Sequence, residues 1–211
     1  MRLKFKKYWR KSSFKQKGVG DFFLKLVSEK KPKNFLEIGV FHGVTSRNIC
    51  ELLNSIHGDY FKYTGIDIFS DDLNDIKNEF IPNTSFSNPF KNIYYKYLIR
   101  ENPYSVKSVS NLLKKFKKNV TILKGNSNEL LKNLNLNNFD YVFLDGGHRY
   151  ETVLNDLNLL TNVLNNNGVI LCDDYDLTYA SGVKKAIDEF VLKKNFNLRI
   201  LNSRFAEITN L

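Results

Sequence analysis

Two hydrophobic periods alternate along the chain. Short apolar runs rich in β-branched and aromatic residues occupy 34–38, 61–67, 119–125, 139–145 and 169–175, each closing on or beside an acid or a glycine. Between them, 19–30, 105–117, 150–164 and 182–194, and one stretch ending near residue 55, carry apolar side chains every three or four positions. The first pattern predicts buried strands and the second amphipathic helices with one inward face, such as Val19, Phe22, Phe23, Leu26 and Val27. This strand, turn, helix, strand succession predicts a doubly wound α/β sheet whose parallel strands deliver polar residues to one rim. A short helix is expected over 129–134, and an antiparallel pair over 198–201 and 205–209.

The rhythm fails in two places. Residues 69–104 hold Pro82, Pro89 and Pro103 among scattered Phe and Tyr, with no sustained period. Because they follow the second strand they fall on the rim, which predicts a lid or acceptor-binding insertion. Residues 1–18 form a basic arm ahead of the domain at 19–211: up to residue 17 there are eight basic side chains and no acid, most of the formal net charge of +10. With Phe5, Tyr8, Trp9 and Phe14 interleaved, such an arm suits an anionic membrane surface, an acidic partner or a second copy of the chain, and less readily nucleic acid.

The length supports one full core rather than two. No apolar run approaches the ~20 residues of a membrane span, and the charged start lacks the apolar stretch of a secretory signal, so a cytoplasmic protein is expected. Cys50 and Cys172 lie in apolar segments without metal-type spacing and read as core residues.

Candidate chemistry gathers where strands end. Phe139-Asp140-Tyr141-Val142-Phe143-Leu144-Asp145-Gly146-Gly147-His148 is a buried strand that stops at a carboxylate, two glycines and a histidine. Taken alone, Asp145 could simply cap the following helix. Glu37-x-Gly39-x-x-x-Gly43 marks the first strand-to-helix turn, where glycines let backbone approach a ligand and the helix start offers free N–H groups. The spacing is not that of dinucleotide sites. Asp67 ends the next strand 28 residues after Gly39, placed to accept hydrogen bonds from ribose hydroxyls. Turn and acid together suggest an adenosine ligand without a pyrophosphate.

Over nearly all of 19–209 the chain resembles the class I S-adenosylmethionine-dependent methyltransferases. Phe35-Leu36-Glu37-Ile38-Gly39-Val40-Phe41-His42-Gly43 looks like their first motif, Thr64-Gly65-Ile66-Asp67 their second, and Lys124-Gly125-Asn126-Ser127 their adenine-side loop. Phe143 to Glu151, Gly168 to Tyr175 and Gly182 to Phe190 are similar to a bacterial group linked to sugar and natural-product O-methylation. The first two of these blocks also look like the metal-dependent catechol O-methyltransferase type. The resemblance implies a Rossmann-like seven-stranded sheet, mostly parallel with one antiparallel C-terminal strand and helices on both faces. It implies that Gly39 and Gly43 border the methionine part of the cofactor, Glu37 shapes that loop, Asp67 holds the ribose and Ser127 lies beside the adenine. It also implies a magnesium ion on Asp145, Asp173 and Asp174.

The charges agree with that last point. One helix joins strands four and five, so three carboxylates meet on one rim and repel unless a cation sits among them; oxygen ligands favour magnesium, calcium or manganese. His148, titrating near neutrality, is the expected base for an acceptor hydroxyl, with a helix-capping role as the alternative; the catechol type has lysine there. The reading is O-methylation of a small hydroxylated molecule. Its rivals are metal-independent transfer to nitrogen or oxygen, and a non-catalytic protein docked by its arm.

Overall fold

The computed structural model describes residues 5–69 and 86–211. Seven strands, β1 Asn34–Ile38, β2 Lys62–Asp67, β3 Val120–Lys124, β4 Tyr141–Leu144, β5 Val169–Cys172, β6 Asn197–Leu201 and β7 Phe205–Thr209, form one sheet in the order β3-β2-β1-β4-β5-β7-β6. β7 runs antiparallel to both its neighbours and the other six strands share one direction, as the motif pattern implied.

Period-two alternation divides the core. On β4, Tyr141 and Phe143 face the cluster under helices α1 Val19–Lys30 and α2 Val44–His57, whereas Val142 and Leu144 face the cluster under α6 Tyr150–Leu159, α7 Thr161–Asn165 and α8 Ser181–Lys194. All four β4 residues are buried, as a strand covered on both faces requires. Cys50 and Cys172 lie in opposite clusters as free buried thiols.

Local chemistry sets the helix ends. α1 stops at Lys31, in the left-handed region at φ 48°, just before Pro32. α2 starts at Gly43, whose φ of 71° favours glycine, and stops at Gly58. The single helix expected over 150–164 is two, broken at Leu160. Thr161 Oγ1 donates to the Asn158 carbonyl at 2.8 Å, the kind of side-chain back-bonding that bends a helix. The helix expected over 105–117 is shorter, α4 Val106–Leu112 followed by one tight turn, and the expected 129–134 helix is α5 Ser127–Leu130 plus a turn. The irregular region 69–104 contains α3 Pro89–Ile93 and a π-helical turn Tyr94–Ile99, so its lack of period hid real helix; residues 70–85, including Phe80 and Pro82, lie outside the described residues.

The arm is not set apart from the domain. Phe5 and Phe14 belong to the α1/α2 core, and Phe14 packs on Phe23, Phe143 and Phe205 with ring centroids 4.8, 5.8 and 5.9 Å away. Packing continues across residue 18, and α1 begins beneath the arm: a Cβ on Gly20 would lie 2.4 Å from the Phe5 ring.

Candidate active site

The rim is assembled by backbone hydrogen bonds running across the ends of five parallel strands. Gly125 N–H donates to Asp67 at 2.9 Å, Gly39 to Ile66 at 2.9 Å, Asp145 to Ile38 at 2.8 Å and Asp173 to Leu144 at 3.0 Å. This row places the predicted residues of separate segments side by side. It spans the point where the strand order reverses between β1 and β4, which is where open α/β sheets leave a crevice for ligands.

A cavity of about 680 Å3 opens there, large enough for a nucleoside-sized molecule. Gly39, Asp67, Ser127, Asp145, His148 and Asp174 all line it. Gly39 has to be glycine: its φ is 96°, and a Cβ would lie 1.9 Å from the Asp145 carbonyl oxygen. Asp67 is fixed as an acceptor, taking hydrogen bonds from the N–H of Phe41 at 2.7 Å and Phe69 at 3.0 Å and from the Tyr104 hydroxyl at 2.7 Å. Ser127 donates its hydroxyl to buried Asp156 at 3.0 Å, which tethers the β3–α5 turn to α6.

Other expected residues stand behind the wall. Glu37 is fully buried and accepts hydrogen bonds from Ser46, at 2.8 Å, and from Tyr63. Burial pushes its carboxyl up to about 8, with Asp67 adding to the shift against those two hydrogen bonds. Gly43 caps α2 and touches Val109 rather than the cavity. Tyr150 and Tyr175, which follow His148 and Asp174 closely in sequence, turn to α8, donating to Glu189 at 2.6 Å and Asp188 at 2.5 Å.

The acidic group departs from the expected arrangement. Asp173, expected as a metal ligand, accepts a bidentate ion pair from Arg204, with Nε and one terminal nitrogen each 2.6 Å from a carboxylate oxygen. Both are buried enough that this fork dominates their geometry. The residues that converge instead are Asp145, His148 and Asp174, each offering one atom within 4.8 Å of the others. His148 Nε2 lies 2.9 Å from Asp174 Oδ2, and Asp174 reaches this position through a left-handed backbone at φ 60°. Burial, then Asp173 and Asp174, hold the Asp145 carboxyl well above the usual carboxylate range, opposed by Arg204. Asp173 is pushed up to about 6 by burial, against the Arg204 hydrogen bonds.

Arg204, Tyr179 and Tyr104 escaped the sequence reading. Arg204 lies in the β6–β7 turn, 31 residues from Asp173, and an arginine in a turn carries no local signal. Tyr179, its ring 5.9 Å from His148, and Tyr104 come from segments without a period.

A family model described as "Methyltransferase domain" matches residues 36–175, from β1 to the end of the acidic pair. The chain belongs to this methyltransferase family. A Podospora anserina methyltransferase bound to S-adenosylhomocysteine aligns with TM-score 0.60 and 17% identity, over 91% of this chain and 77% of its own. An O-methyltransferase from Bacillus cereus in complex with the same molecule aligns with TM-score 0.61 and 13% identity, over 96% and 84%. At such identities these likenesses concern the fold. An uncharacterized protein of Acanthamoeba polyphaga mimivirus is 39% identical over 56 residues, so the match spans 26% of this methyltransferase and 25% of that relative.

Proposed function

We propose that the chain transfers the methyl group of S-adenosylmethionine to a hydroxyl of a small molecule. The observation that carries this is the single cavity joining Gly39, Asp67 and Ser127, suited to the cofactor, to Asp145, His148 and Asp174, suited to a reacting hydroxyl. The two neighbours crystallised with S-adenosylhomocysteine support the cofactor, and the Bacillus cereus protein is an O-methyltransferase.

In this reading Asp67 accepts the ribose hydroxyls and the Gly39 backbone lies against the methionine moiety, closed off on its far side by the Asp145 carbonyl. Fixing acceptor oxygen and methyl carbon in line supplies much of the rate, since positioned groups avoid the entropy of encounter. The acceptor proton passes to the His148 ring, whose Nε2 lies 2.9 Å from Asp174 Oδ2, so that this carboxylate orients the ring and stabilises the cation formed. Asp145, its carboxyl raised by burial and then by Asp173 and Asp174, fits a divalent cation shared with Asp174 and within reach of His148. Such an ion would lower the pKa of a bound hydroxyl and anchor its oxygen.

The test combines calorimetric titration with S-adenosylhomocysteine and transfer of labelled methyl to a panel of hydroxylated acceptors. His148→Ala is expected to bind S-adenosylhomocysteine as tightly as the native chain and to lose about a hundredfold or more in kcat. Absence of S-adenosylhomocysteine binding would sink the cofactor reading; undiminished kcat in the variant would remove His148 as the base.

A further inference from the structure

Methyl transfer does not account for the basic arm, and its folded form does not resemble a tail awaiting a surface. Arg10, Lys11 and Lys15 of the arm, with Lys91 of α3, wall a second cavity of about 490 Å3 whose floor includes Phe41 and Phe86. Among the described residues that line it, four of ten are cationic and none is a carboxylate.

Arg10 and Lys15 are held by neutral acceptors. Arg10 donates its guanidinium to the carbonyls of His42, Pro103 and Ser108 at 3.1, 3.2 and 2.9 Å, and to the Ser108 hydroxyl at 2.8 Å. Lys15 donates to the Tyr8 carbonyl at 2.7 Å and to that of Arg10. Carbonyl partners satisfy N–H donors without cancelling charge, so the positive charges of Arg10 and Lys15 survive at the cavity wall. Positive charge here adds to the effect of burial on neighbouring groups. Burial, then Lys91, hold the Lys15 ammonium below its ordinary range. His42, stacked on Phe41 with centroids 4.0 Å apart, is pushed down to about 3 by burial and then by Arg10, Lys11 and Lys15. Glu101, the carboxylate that acts on Arg10, is itself engaged by Lys107 at 3.0 Å.

Ser13 and Phe41 line this cavity and the 680 Å3 cavity alike, so the two are neighbours across one wall. We propose that the basic cavity binds a phosphate or diphosphate group of the methyl acceptor, whose hydroxyl then lies at Asp145 and His148. The inference rests on the methyltransferase reading of the adjoining site. Four cations exceed what a lone carboxylate calls for. The volume and the two phenylalanine rings leave room for more of the acceptor than its anion. A strongly anionic group held by charge-assisted hydrogen bonds would also give the arm a reason to be folded rather than free.

The experiment is calorimetric titration of the full chain, loaded with S-adenosylhomocysteine, with inorganic pyrophosphate at about 0.15 M ionic strength. Saturable binding is expected, weakening as salt rises. Lys91→Glu should weaken it about tenfold or more and Lys91→Arg should retain it, with S-adenosylhomocysteine affinity unchanged in both. Pyrophosphate that fails to bind a chain still binding S-adenosylhomocysteine, or that binds Lys91→Glu as well as the native chain, would overturn the proposal. A chain that does not bind S-adenosylhomocysteine at all would overturn the underlying methyltransferase reading, and the proposal with it.

Discussion

At the scale of single residues, charge compensation decides which carboxylates are free to do chemistry. Asp173 has its counter-ion built in, because Arg204 meets both of its oxygens. Asp145 and Asp174 share a rim with it, and among the described residues the basic groups that Asp174 meets are His148 and the far edge of the Arg204 fork, 3.6 Å away. Manganese binding followed by electron paramagnetic resonance should therefore weaken about tenfold or more in Asp145→Asn and in Asp174→Asn, whereas Asp173→Asn should mainly lower Tm by leaving Arg204 buried without its partner. Equal loss of manganese in all three would return Asp173 to the ligand set. Glu37 offers a different readout. The unfolded chain releases this proton near the ordinary 4.5 and the folded chain keeps it to about 8. Over that interval the folded state binds more protons, so the contribution of Glu37 to stability is greatest below about 4.5, declines as pH rises towards about 8, and is level beyond. Glu37→Gln keeps the shape without the titration, and melting curves should show the native Tm falling relative to the variant between about pH 5 and pH 8. A Tm difference that stays constant with pH would mean that Glu37 ionises like a surface acid.

At the scale of elements, what the sequence makes legible is whatever a local period or a strand end encodes. β1, β4 and β5 read directly because they are short, built mostly or wholly of apolar residues and bounded by glycine or acid, and their ends carried Gly39, Asp145 and Asp173 to the rim. The α6/α7 break did not, since Val153, Leu157, Leu160 and Leu164 keep one helical stripe across it and the bend comes from a hydroxyl on Thr161. α3 and the following π-helical turn were equally hidden: their large side chains Phe90, Tyr97 and Leu98 point outward, so burial imposes no period on them. The site divides the same way. Residues delivered by strand ends were found. The partner that redirects Asp173 was not, because Arg204 arrives from the far end of the chain through sheet pairing between β5 and β7, a tertiary fact without a local mark.

At the scale of the whole molecule, the two chain ends close on the same rim. The arm brings Phe14 beneath the Arg204 guanidinium, 5.2 Å from the ring, and Ser13 Oγ accepts a hydrogen bond from the same group at 3.2 Å. Arg204 in turn holds Asp173 beside Asp174 and His148, so arm, C-terminal hairpin and candidate site form one connected body. That makes the basic arm a structural element first, with its charges displayed by a hydrophobic anchor. Phe14 is 2% exposed among four other phenylalanines, Phe5, Phe23, Phe143 and Phe205. Removing its ring would forfeit both the transfer energy and the packing around the void, about 3–5 kcal/mol for a phenylalanine truncated to alanine. Lys17, exposed on the same arm, contributes no such contact, and Lys17→Ala should stay within about 0.5 kcal/mol of the native chain. Urea unfolding of the two variants distinguishes the cases: a lowered midpoint for Phe14→Ala alone marks the arm as core, whereas small equal shifts for both would mean that the arm lies loosely on the surface and cannot hold Arg204 or the basic cavity in place.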